Sequence, residues 1–408
     1  MNRQQVKFVV VGSVDHGKST LIGRFLYDTH SIPQAQLDLI ETLSQPDGGG
    51  IDFAFVLDHL QEERRRHITI DTTQTYFSDS TRDYVIIDAP GHKEFLQNML
   101  TGASQASAAM LMLDAHEGLT AQTRRHSFLL SLLGIAQVIV VINKMDLVGY
   151  SHQAFRDLTG RIGNILLGLN IRPLATIPAA ALTGENIVRR SSSMPWYSGP
   201  TAIEALALLT PSQWKIDGPL RLPVQDVYTR AGRAVAVGRC VSGTIHAGQQ
   251  VVIYPQQEPA EVEGLLKLEG PLPAASARES IGLTLSGGQA LRRGQVIASA
   301  EEPPTVSQTL KARVFWMSKE PLALGENFSL RLVTQDIPCR AERILERYDA
   351  GTLTRLEADA AQLAQTEVAV VELQAASPVL SDHFASIPEM GRLVLTSQGD
   401  ILAGGIVV

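Results

Sequence analysis

A glycine-rich segment directly after the first apolar run constrains this chain more than any other feature. The run Val6–Val11 is followed by Gly12-Ser13-Val14-Asp15-His16-Gly17-Lys18-Ser19-Thr20, which has the spacing of a phosphate-binding loop between a strand and a helix. In such a loop, backbone N–H groups wrap the phosphates, so we expect Lys18 to neutralise β- and γ-oxygens and the Ser19 hydroxyl to bind Mg²⁺. A chance glycine-rich turn would not explain the strand-then-helix context. Further contacts to the nucleotide are expected from Gly12, Val14, Asp15, His16, Gly17 and Thr20.

A second apolar run ends in residues suited to nucleotide hydrolysis. Tyr84–Ile87 is followed by Asp88-Ala89-Pro90-Gly91-His92, which puts a carboxylate at the tip of a buried strand. Asp88 is expected to hold Mg²⁺ through water, and the Gly91 N–H is expected to meet the γ-phosphate. A lone histidine after a strand is usually structural, but this pattern favours His92 as the residue that positions the attacking water.

A third motif indicates guanine as the base. Asn143-Lys144-Met145-Asp146 follows the apolar run Val138–Ile142. A carboxylate accepts hydrogen bonds from both the ring N–H and the exocyclic amine of guanine, so Asp146 is the predicted specificity residue. Lys144 is expected to lie over the base and Asn143 to brace the loops. Together the motifs predict a chain that binds and hydrolyses GTP.

The pattern of apolar residues along the chain changes near residue 211. Before it, buried apolar runs alternate with helical patterns, which is typical of a mostly parallel sheet with crossover helices. After it, short alternating segments such as Val251–Tyr254 and Ile281–Leu285 predict antiparallel strands, and Glu301–Pro304 divides them into two parts of barrel size. We therefore predict an α/β P-loop GTPase domain followed by two antiparallel β-barrel domains. The predicted boundaries are 1–215, 216–302 and 303–408.

Composition limits the setting in which this chain works. Its 408 residues are 44% hydrophobic and 19% charged, as expected for a globular chain with several cores. No apolar stretch near the start reaches the roughly 20 residues of a membrane span, so we expect no membrane partner. Cys240 and Cys339 lack metal-ligand neighbours, which favours free thiols and the cytoplasm over a disulfide. The net charge of -7 argues against nucleic acid as a partner, although a local basic face would be compatible with it.

Taken together, these motifs resemble the translation-factor GTPases, whose nucleotide domain is followed by two β-barrels. Three segments resemble one branch of that superfamily, the GTPase subunit of the heterodimeric bacterial sulfate adenylyltransferase. These segments are Gln122–Ser127, Leu133–Ile135 and Met194–Thr201. Each of them alone has an ordinary explanation as a surface loop or helix end. The segment Phe315–Leu322 resembles the opening of the family's third domain and extends the match to the last barrel.

The resemblance implies roles for further residues. It assigns Thr69 to Mg²⁺ and the γ-phosphate, and it makes Val14 and Ile68 an apolar gate beside His92. The helical pattern Phe53–Arg66 is expected to form an inserted effector element that changes shape with the nucleotide. A second loop beside the base, Ala180-Ala181-Leu182, is called the guanine loop here, and its residues Ala181 and Leu182 are expected to contact the nucleotide.

Three positions depart from the usual pattern. His67 stands where the family has glycine, which either stiffens the switch or is tolerated as a larger side chain. Ala180 replaces the serine of the guanine loop, so a supporting hydroxyl is lost. His16 follows the elongation-factor form of the phosphate loop, whereas the sulfate branch more often has a second aspartate.

The expected function is therefore GTP hydrolysis coupled to the formation of adenosine 5′-phosphosulfate. A separate catalytic subunit of sulfate adenylyltransferase would be the partner, in a heterodimer or larger assembly, and it would handle ATP and sulfate. Ser286-Gly287-Gly288-Gln289 resembles an ATP-site loop only faintly and is better explained as a turn, and no second phosphate loop follows. The alternatives are a GTPase that serves a specialised sulfation pathway and a translation elongation factor that delivers aminoacyl-tRNA, which the domain order and His16 favour.

Overall fold

The computed structural model of the chain separates into two compact units, residues 1–212 and 213–408. It describes residues 5–32, 34, 37–38, 53, 74–78, 82–88, 106–210, 217–230, 232–267, 270–286, 291–350 and 354–408. Within these ranges no helix is both long and apolar enough to cross a membrane. Cys240 and Cys339 are free thiols and both are buried.

The first unit is built on a six-stranded sheet with the order β2-β3-β1-β4-β5-β6. Every neighbouring pair is parallel except β2 and β3, which run antiparallel at one edge. The central strands consist almost wholly of buried Val, Ile, Leu and Met, as expected where helices cover both faces of a parallel sheet. The strands are β1 (Gln5–Gly12), β2 (Gln74–Ser78), β3 (Asp83–Asp88), β4 (Ala108–Asp114), β5 (Gln137–Asn143) and β6 (Pro173–Pro178).

Three helices of this unit begin at polar caps that the sequence supplies. The hydroxyls of Thr120, Ser151 and Thr201 accept N–H hydrogen bonds in the first turns of α2, α3 and α4. In α3 the buried residues Leu158, Ile162 and Leu166 recur every fourth position, so one face packs inward. The helices are α1 (Lys18–Asp28), α2 (Ala121–Leu132), α3 (His152–Gly168) and α4 (Ala202–Leu206).

The second unit contains two antiparallel sheets that each close on themselves. In the first, the order is β10-β15-β7-β8-β14-β11-β12, and β10 also pairs with β11, which closes a barrel. A small pair, β9 with β13, lies outside it. The strands are β7 (Arg221–Arg230), β8 (Arg233–Arg239), β9 (Thr244–His246), β10 (Gln250–Tyr254), β11 (Glu258–Lys267), β12 (Gly270–Leu272), β13 (Ala274–Ser276), β14 (Ser280–Ser286) and β15 (Val296–Ala298).

The second barrel has the order β18-β23-β24-β16-β22-β19-β20 and closes through a further pairing of β18 with β19. A short helix, α5 (Pro388–Gly391), precedes β23, and β17 pairs with β21 outside the barrel. The strands are β16 (Thr305–Trp316), β17 (Leu322–Ala323), β18 (Asn327–Leu332), β19 (Gln335–Asp349), β20 (Arg355–Ala360), β21 (Gln362–Leu363), β22 (Glu367–Ser381), β23 (Arg392–Ser397) and β24 (Asp400–Val407).

Each barrel has its own apolar core, and a third cluster lies where the barrels meet. That cluster joins Tyr254 and Val296 of the first barrel to Leu380, Ile387 and Met390 of the second. The predicted fold class, a P-loop domain followed by two antiparallel barrels, is confirmed. The boundaries 1–215, 216–302 and 303–408 stay a prediction, and the two barrel sheets separate between residues 298 and 305.

Candidate nucleotide-binding site

The sequence motifs meet at one edge of the parallel sheet. Strands β1, β3, β4 and β5 end at Gly12, Asp88, Asp114 and Asn143. Because these strands are parallel, their carboxyl ends lie side by side, with Asp114 directly opposite Asn143 in the register. The crevice beyond the carboxyl ends of such strands is the usual ligand site of open α/β sheets.

The phosphate loop makes one 3-10 turn, Val14–His16, and then enters α1 at Lys18. The turn is possible because Gly17 has φ +84°, and a Cβ there would lie 2.5 Å from the Asn143 side-chain nitrogen. Loop and helix thus place backbone N–H groups and the positive end of the α1 dipole at one spot, which suits an anion.

Lys18 is buried within this loop. Its Nζ donates hydrogen bonds to the carbonyl oxygens of Gly12 and Ser13, at 2.9 and 2.8 Å. Burial lowers the pKa of Lys18, and the negative charges of Asp88 and Asp15 offset part of that shift. The ammonium is therefore held beside the loop, where a phosphate oxygen would add a counter-charge.

His16 is fully buried beneath the loop, although it belongs to the motif predicted to contact the nucleotide. Its Nδ1 donates to the carbonyl of Met112 on β4 at 2.9 Å, and its Nε2 lies 3.1 Å from a carboxylate oxygen of Glu117. The ring therefore anchors the phosphate loop to β4 from below.

Asn143 ties two loops together with one side chain. Its Nδ2 donates to the carbonyl of His16, and its Oδ1 accepts from the backbone N–H of Ala181, both at 2.9 Å. The amide uses a donor and an acceptor at once, so it fixes the phosphate loop and the guanine loop relative to each other.

Lys144 is oriented by an aspartate that the sequence motifs did not include. Its Nζ lies 2.8 Å from Asp114 Oδ2, and Asp114 Oδ1 accepts backbone hydrogen bonds from His116 and Glu117. Burial disfavours the charged carboxylate, but the hydrogen bonds from Lys144 and the two N–H groups outweigh burial and lower the pKa of Asp114. One signal was present in the sequence: Asp114 follows a buried apolar run directly, as Asp88 does.

Asp146 lies on the 3-10 helix Met145–Val148 and is half-buried. Ala181 is buried, whereas Leu182 is 65% exposed, so the guanine loop offers an apolar side chain to the surface. At Ala180, which lacks the serine hydroxyl, the backbone carbonyl accepts a hydrogen bond from the Thr183 hydroxyl at 3.3 Å.

The described candidate ligands for Mg²⁺ are Ser19 and Asp88. Ser19 lies in the first turn of α1 and Asp88 ends β3, and both residues are half-buried. The electrostatic effect of Asp88 on Lys18 places its carboxylate near the phosphate loop. A hydroxyl and a carboxylate are hard oxygen donors of the kind Mg²⁺ takes beside phosphate and water.

Several predicted residues lie outside the described part of the chain. They are His67, Ile68, Thr69, Gly91 and His92, together with most of Phe53–Arg66. Of that last segment, Phe53 is described, and its ring lies under the Arg24 guanidinium at 4.9 Å. Ser286 ends β14, and the three residues after it are also outside the described ranges.

The segments that resembled sulfate adenylyltransferase have structural roles in this fold. Gln122–Ser127 lies in α2, where Thr123, His126 and Ser127 are buried. Leu133–Ile135 follows the end of that helix, with Gly134 at φ +68°. Met194–Thr201 ends in the N-cap of α4.

Family profiles match three consecutive parts of the chain. The elongation factor Tu GTP binding domain matches residues 3–229, elongation factor Tu domain 2 matches 233–298, and the GTP-eEF1A C-terminal domain-like profile matches 309–408. The elongation factor 1-alpha of Pyrococcus horikoshii is 38% identical over 420 residues, which span 100% of this chain and 98% of that protein. The elongation factor 1-alpha of Archaeoglobus fulgidus is 36% identical over 414 residues, with the same coverage.

A solved structure of sup35 in complex with GDP covers 100% of this chain and 94% of its own, at 23% identity and a TM-score of 0.46. That likeness is too low to support any statement about function.

The likeness to elongation factor 1-alpha overturns the expected role in sulfate activation. Relatives that match over their full length are elongation factors, so the assignment to the GTPase subunit of sulfate adenylyltransferase is wrong. The expectation of a catalytic partner subunit that handles ATP and sulfate is wrong for the same reason. The expectation that nucleic acid is an unlikely partner, which rested on the net charge of -7, is wrong as well, because the full-length relatives are elongation factors. The physical reason is that these segments supply buried side chains and a helix N-cap in this chain, and such roles do not depend on the reaction that a protein catalyses.

Proposed function

The chain belongs to the elongation factor Tu and elongation factor 1-alpha family of GTP-binding GTPases, and we propose that it is a translation elongation factor that delivers aminoacyl-tRNA to the ribosome. The observation that carries the proposal is likeness over the whole length, including both barrels. A P-loop domain alone serves many tasks, so the matches of both barrels to elongation-factor profiles support the proposal more than the P-loop does. The proposal implies a cytoplasmic location, where ribosomes work.

In this proposal Ser19, Asp88 and Thr69 hold Mg²⁺, which neutralises phosphate charge when bound. Lys18 and the backbone N–H groups of the phosphate loop bind the β- and γ-phosphates. The α1 dipole adds to their positive field, and the buried His16 keeps the loop in place.

His92 orients the attacking water, and Gly91 senses the γ-phosphate. Val14, which is 49% exposed, forms the apolar gate with Ile68 and keeps His92 from the water until the gate opens. The segment Phe53–Arg66 is the proposed effector element, with Phe53 packed against α1.

For the base, Asp146 accepts the guanine N–H groups and Lys144 covers one face. Leu182 offers an apolar surface to the base. Asn143 holds the two loops at the spacing a nucleotide requires, and Ala181 contributes its backbone N–H.

Binding of an RNA by an acidic protein needs a local basic surface. Arg292 and Arg293 are exposed and line a cleft of about 270 Å³ between the two barrels, opposite Thr334 and Asp336. Arg293 Nη1 also donates to the carbonyl of Gln225 at 3.0 Å, which leaves its other nitrogens to meet phosphate.

The proposal is tested by binding of fluorescent aminoacyl-tRNA to the purified chain loaded with GTP or GDP. We expect at least tenfold tighter binding with GTP, and much weaker binding of deacylated tRNA. Equal affinity in the two nucleotide states, or no binding in either, contradicts the proposal.

Charge reversal tests where the RNA binds. The double variant Arg292→Glu/Arg293→Glu should weaken binding and lower the slope of log K against log salt by about 1 per lost phosphate contact. The control is Arg156→Glu/Arg161→Glu on the exposed face of α3, which makes the same change of charge in the first unit. Equal loss in both variants would mean that only net charge matters.

A further inference from the structure

The loop that carries Asp146 turns back through residues in the left-handed backbone region. Lys144, Gly149 and Tyr150 have φ of 59°, 59° and 56°. Glycine adopts this conformation without strain, but a bulky residue such as Tyr150 does so rarely. The surrounding structure must therefore hold Tyr150 in place.

Both backbone groups of Tyr150 have partners. Its N–H donates to the carbonyl of Met145 at 2.8 Å, which closes the loop around Asp146. Its carbonyl accepts from the indole Nε1–H of Trp196 at 3.1 Å. Trp196 lies far along the chain, so this bond fixes the end of the loop to another part of the domain.

The indole is itself held on two sides. It stacks on His152 in the first turn of α3, with ring centroids 4.6 Å apart and planes 17° apart. Phe155, one turn later, packs against it at 5.4 Å. Next to it, the Tyr197 hydroxyl donates to the carbonyl of Pro200 at 2.9 Å, and burial raises the pKa of Tyr197 to about 12. The indole N–H is therefore aimed at Tyr150 by rigid neighbours.

From this geometry we infer that Trp196 is a positioning residue for guanine recognition. It holds the strained Tyr150 turn, and the turn fixes the 3-10 helix on which Asp146 stands. The inference rests on the proposed role of Asp146 and is independent of aminoacyl-tRNA delivery. IDP carries hypoxanthine, which lacks the 2-amino group of guanine. Because Asp146 accepts a hydrogen bond from that group, displacement of Asp146 weakens the binding of GDP more than the binding of IDP.

The test compares Trp196→Phe with Trp316→Phe. Phenylalanine keeps an aromatic ring at position 196 but removes the N–H donor. Trp316 is the matched control, since its indole N–H also donates to a backbone carbonyl, that of Glu320 at 2.7 Å, in the second unit. The dissociation constants of GDP and IDP are measured for each protein by calorimetry, and folding is checked by circular dichroism.

We expect Trp196→Phe to raise the dissociation constant of GDP about 3–10-fold, the range of one lost hydrogen bond, and that of IDP about twofold or less. The ratio of the IDP constant to the GDP constant thus falls. Trp316→Phe should leave both constants unchanged. Equal weakening of both nucleotides, or no change in either, overturns the inference.

A second variant separates positioning from general damage to the fold. In a Tyr150→Gly background the turn no longer needs to be held against strain. Adding Trp196→Phe there should change the ratio by less than about 1.5-fold. A ratio that falls as far as in the single variant argues that Trp196 acts by some other route.

The wild-type protein distinguishes failure of the proposed role of Asp146 from failure of the positioning role of Trp196. If wild type binds GDP and IDP equally, the proposed role of Asp146 fails. If wild type discriminates and Trp196→Phe discriminates equally well, only the positioning role fails.

Discussion

Arg221 and Asp382 form a two-point ion pair that joins the two barrels. Arg221 Nε lies 2.8 Å from Asp382 Oδ2, and Nη2 lies 3.0 Å from Oδ1. The guanidinium also donates to the carbonyls of Leu220, Glu302 and Pro303. Arg221 is only 2% exposed, so one side chain ties the first barrel, the connecting segment and the second barrel together.

Removing Arg221 should destabilise the second unit strongly. The variant Arg221→Met leaves the Asp382 carboxylate largely buried without its partner, which we expect to lower the free energy of unfolding by about 3–5 kcal/mol. The control is Arg340→Met, which breaks an exposed 2.7 Å pair with Glu342 and should change stability by about 1 kcal/mol at most. Urea unfolding followed by circular dichroism measures both, and equal effects would contradict the expected role.

Asp114→Asn should weaken nucleotide binding by loosening Lys144. A charge-assisted hydrogen bond of about 1.5–3 kcal/mol is lost, so we expect GDP affinity to fall by at least about tenfold.

Because the pKa of Asp114 is lowered in the folded state, its stabilising contribution is complete above its ordinary value of 3.8 and is lost as the pH falls through the lower folded value. The stability difference between wild type and variant should therefore be constant at neutral pH and shrink below pH 3.8. A difference that grows on acidification would contradict this. Asp157→Asn on exposed α3 is the control.

Two glycines in α3 should be improvable. A Cβ added at Gly160 or Gly163 would meet no atom within 4 Å, and both lie in the helix interior. Alanine at either position should raise the free energy of unfolding by about 0.5–1 kcal/mol. Gly23→Ala in α1 is the opposite control, because its Cβ would lie 2.0 Å from the Phe53 carbonyl and should destabilise. Urea unfolding decides, and a loss of stability at Gly160 would refute the prediction.

The two thiols should resist modification in the folded protein. Burial raises the pKa of Cys240 to about 11 and that of Cys339 to about 12. At pH 8 only about one Cys240 side chain in a thousand is the reactive thiolate, so a disulfide reagent should label neither residue until denaturant is added. The raised pKa also means that stability falls as the pH rises from the ordinary thiol value of 9.0 toward 11. Rapid labelling of the native protein would contradict the burial.

The sequence predicted the central sheet well because buried parallel strands are local signals. The three predicted apolar runs Val6–Val11, Tyr84–Ile87 and Val138–Ile142 lie inside β1, β3 and β5. The antiparallel edge strand β2 was not predicted, since its half-exposed residues do not form a continuous apolar run.

Contacts between residues far apart in the chain could not be predicted from the sequence. The motifs located Lys144 and His16, but not Asp114 and Glu117, which hold them, because each depends on how β4 lies beside its neighbours. The functional branch was misassigned for a related reason. Segments such as Met194–Thr201 were treated as marks of one enzyme, whereas Trp196 and Thr201 within it serve packing and capping.

Strand β4 supports both halves of the nucleotide site. The Met112 carbonyl accepts a hydrogen bond from His16 under the phosphate loop, and Asp114, two residues later, holds Lys144 of the Asn143–Asp146 motif. The two subsites are therefore held at a fixed spacing by one strand. Pyrophosphate and guanosine, added as separate fragments, would each lose translational and rotational freedom on binding, whereas in GDP that loss occurs once. The covalent link between base and phosphates should thus give a large chelate effect, with whole GDP binding far more tightly than either fragment.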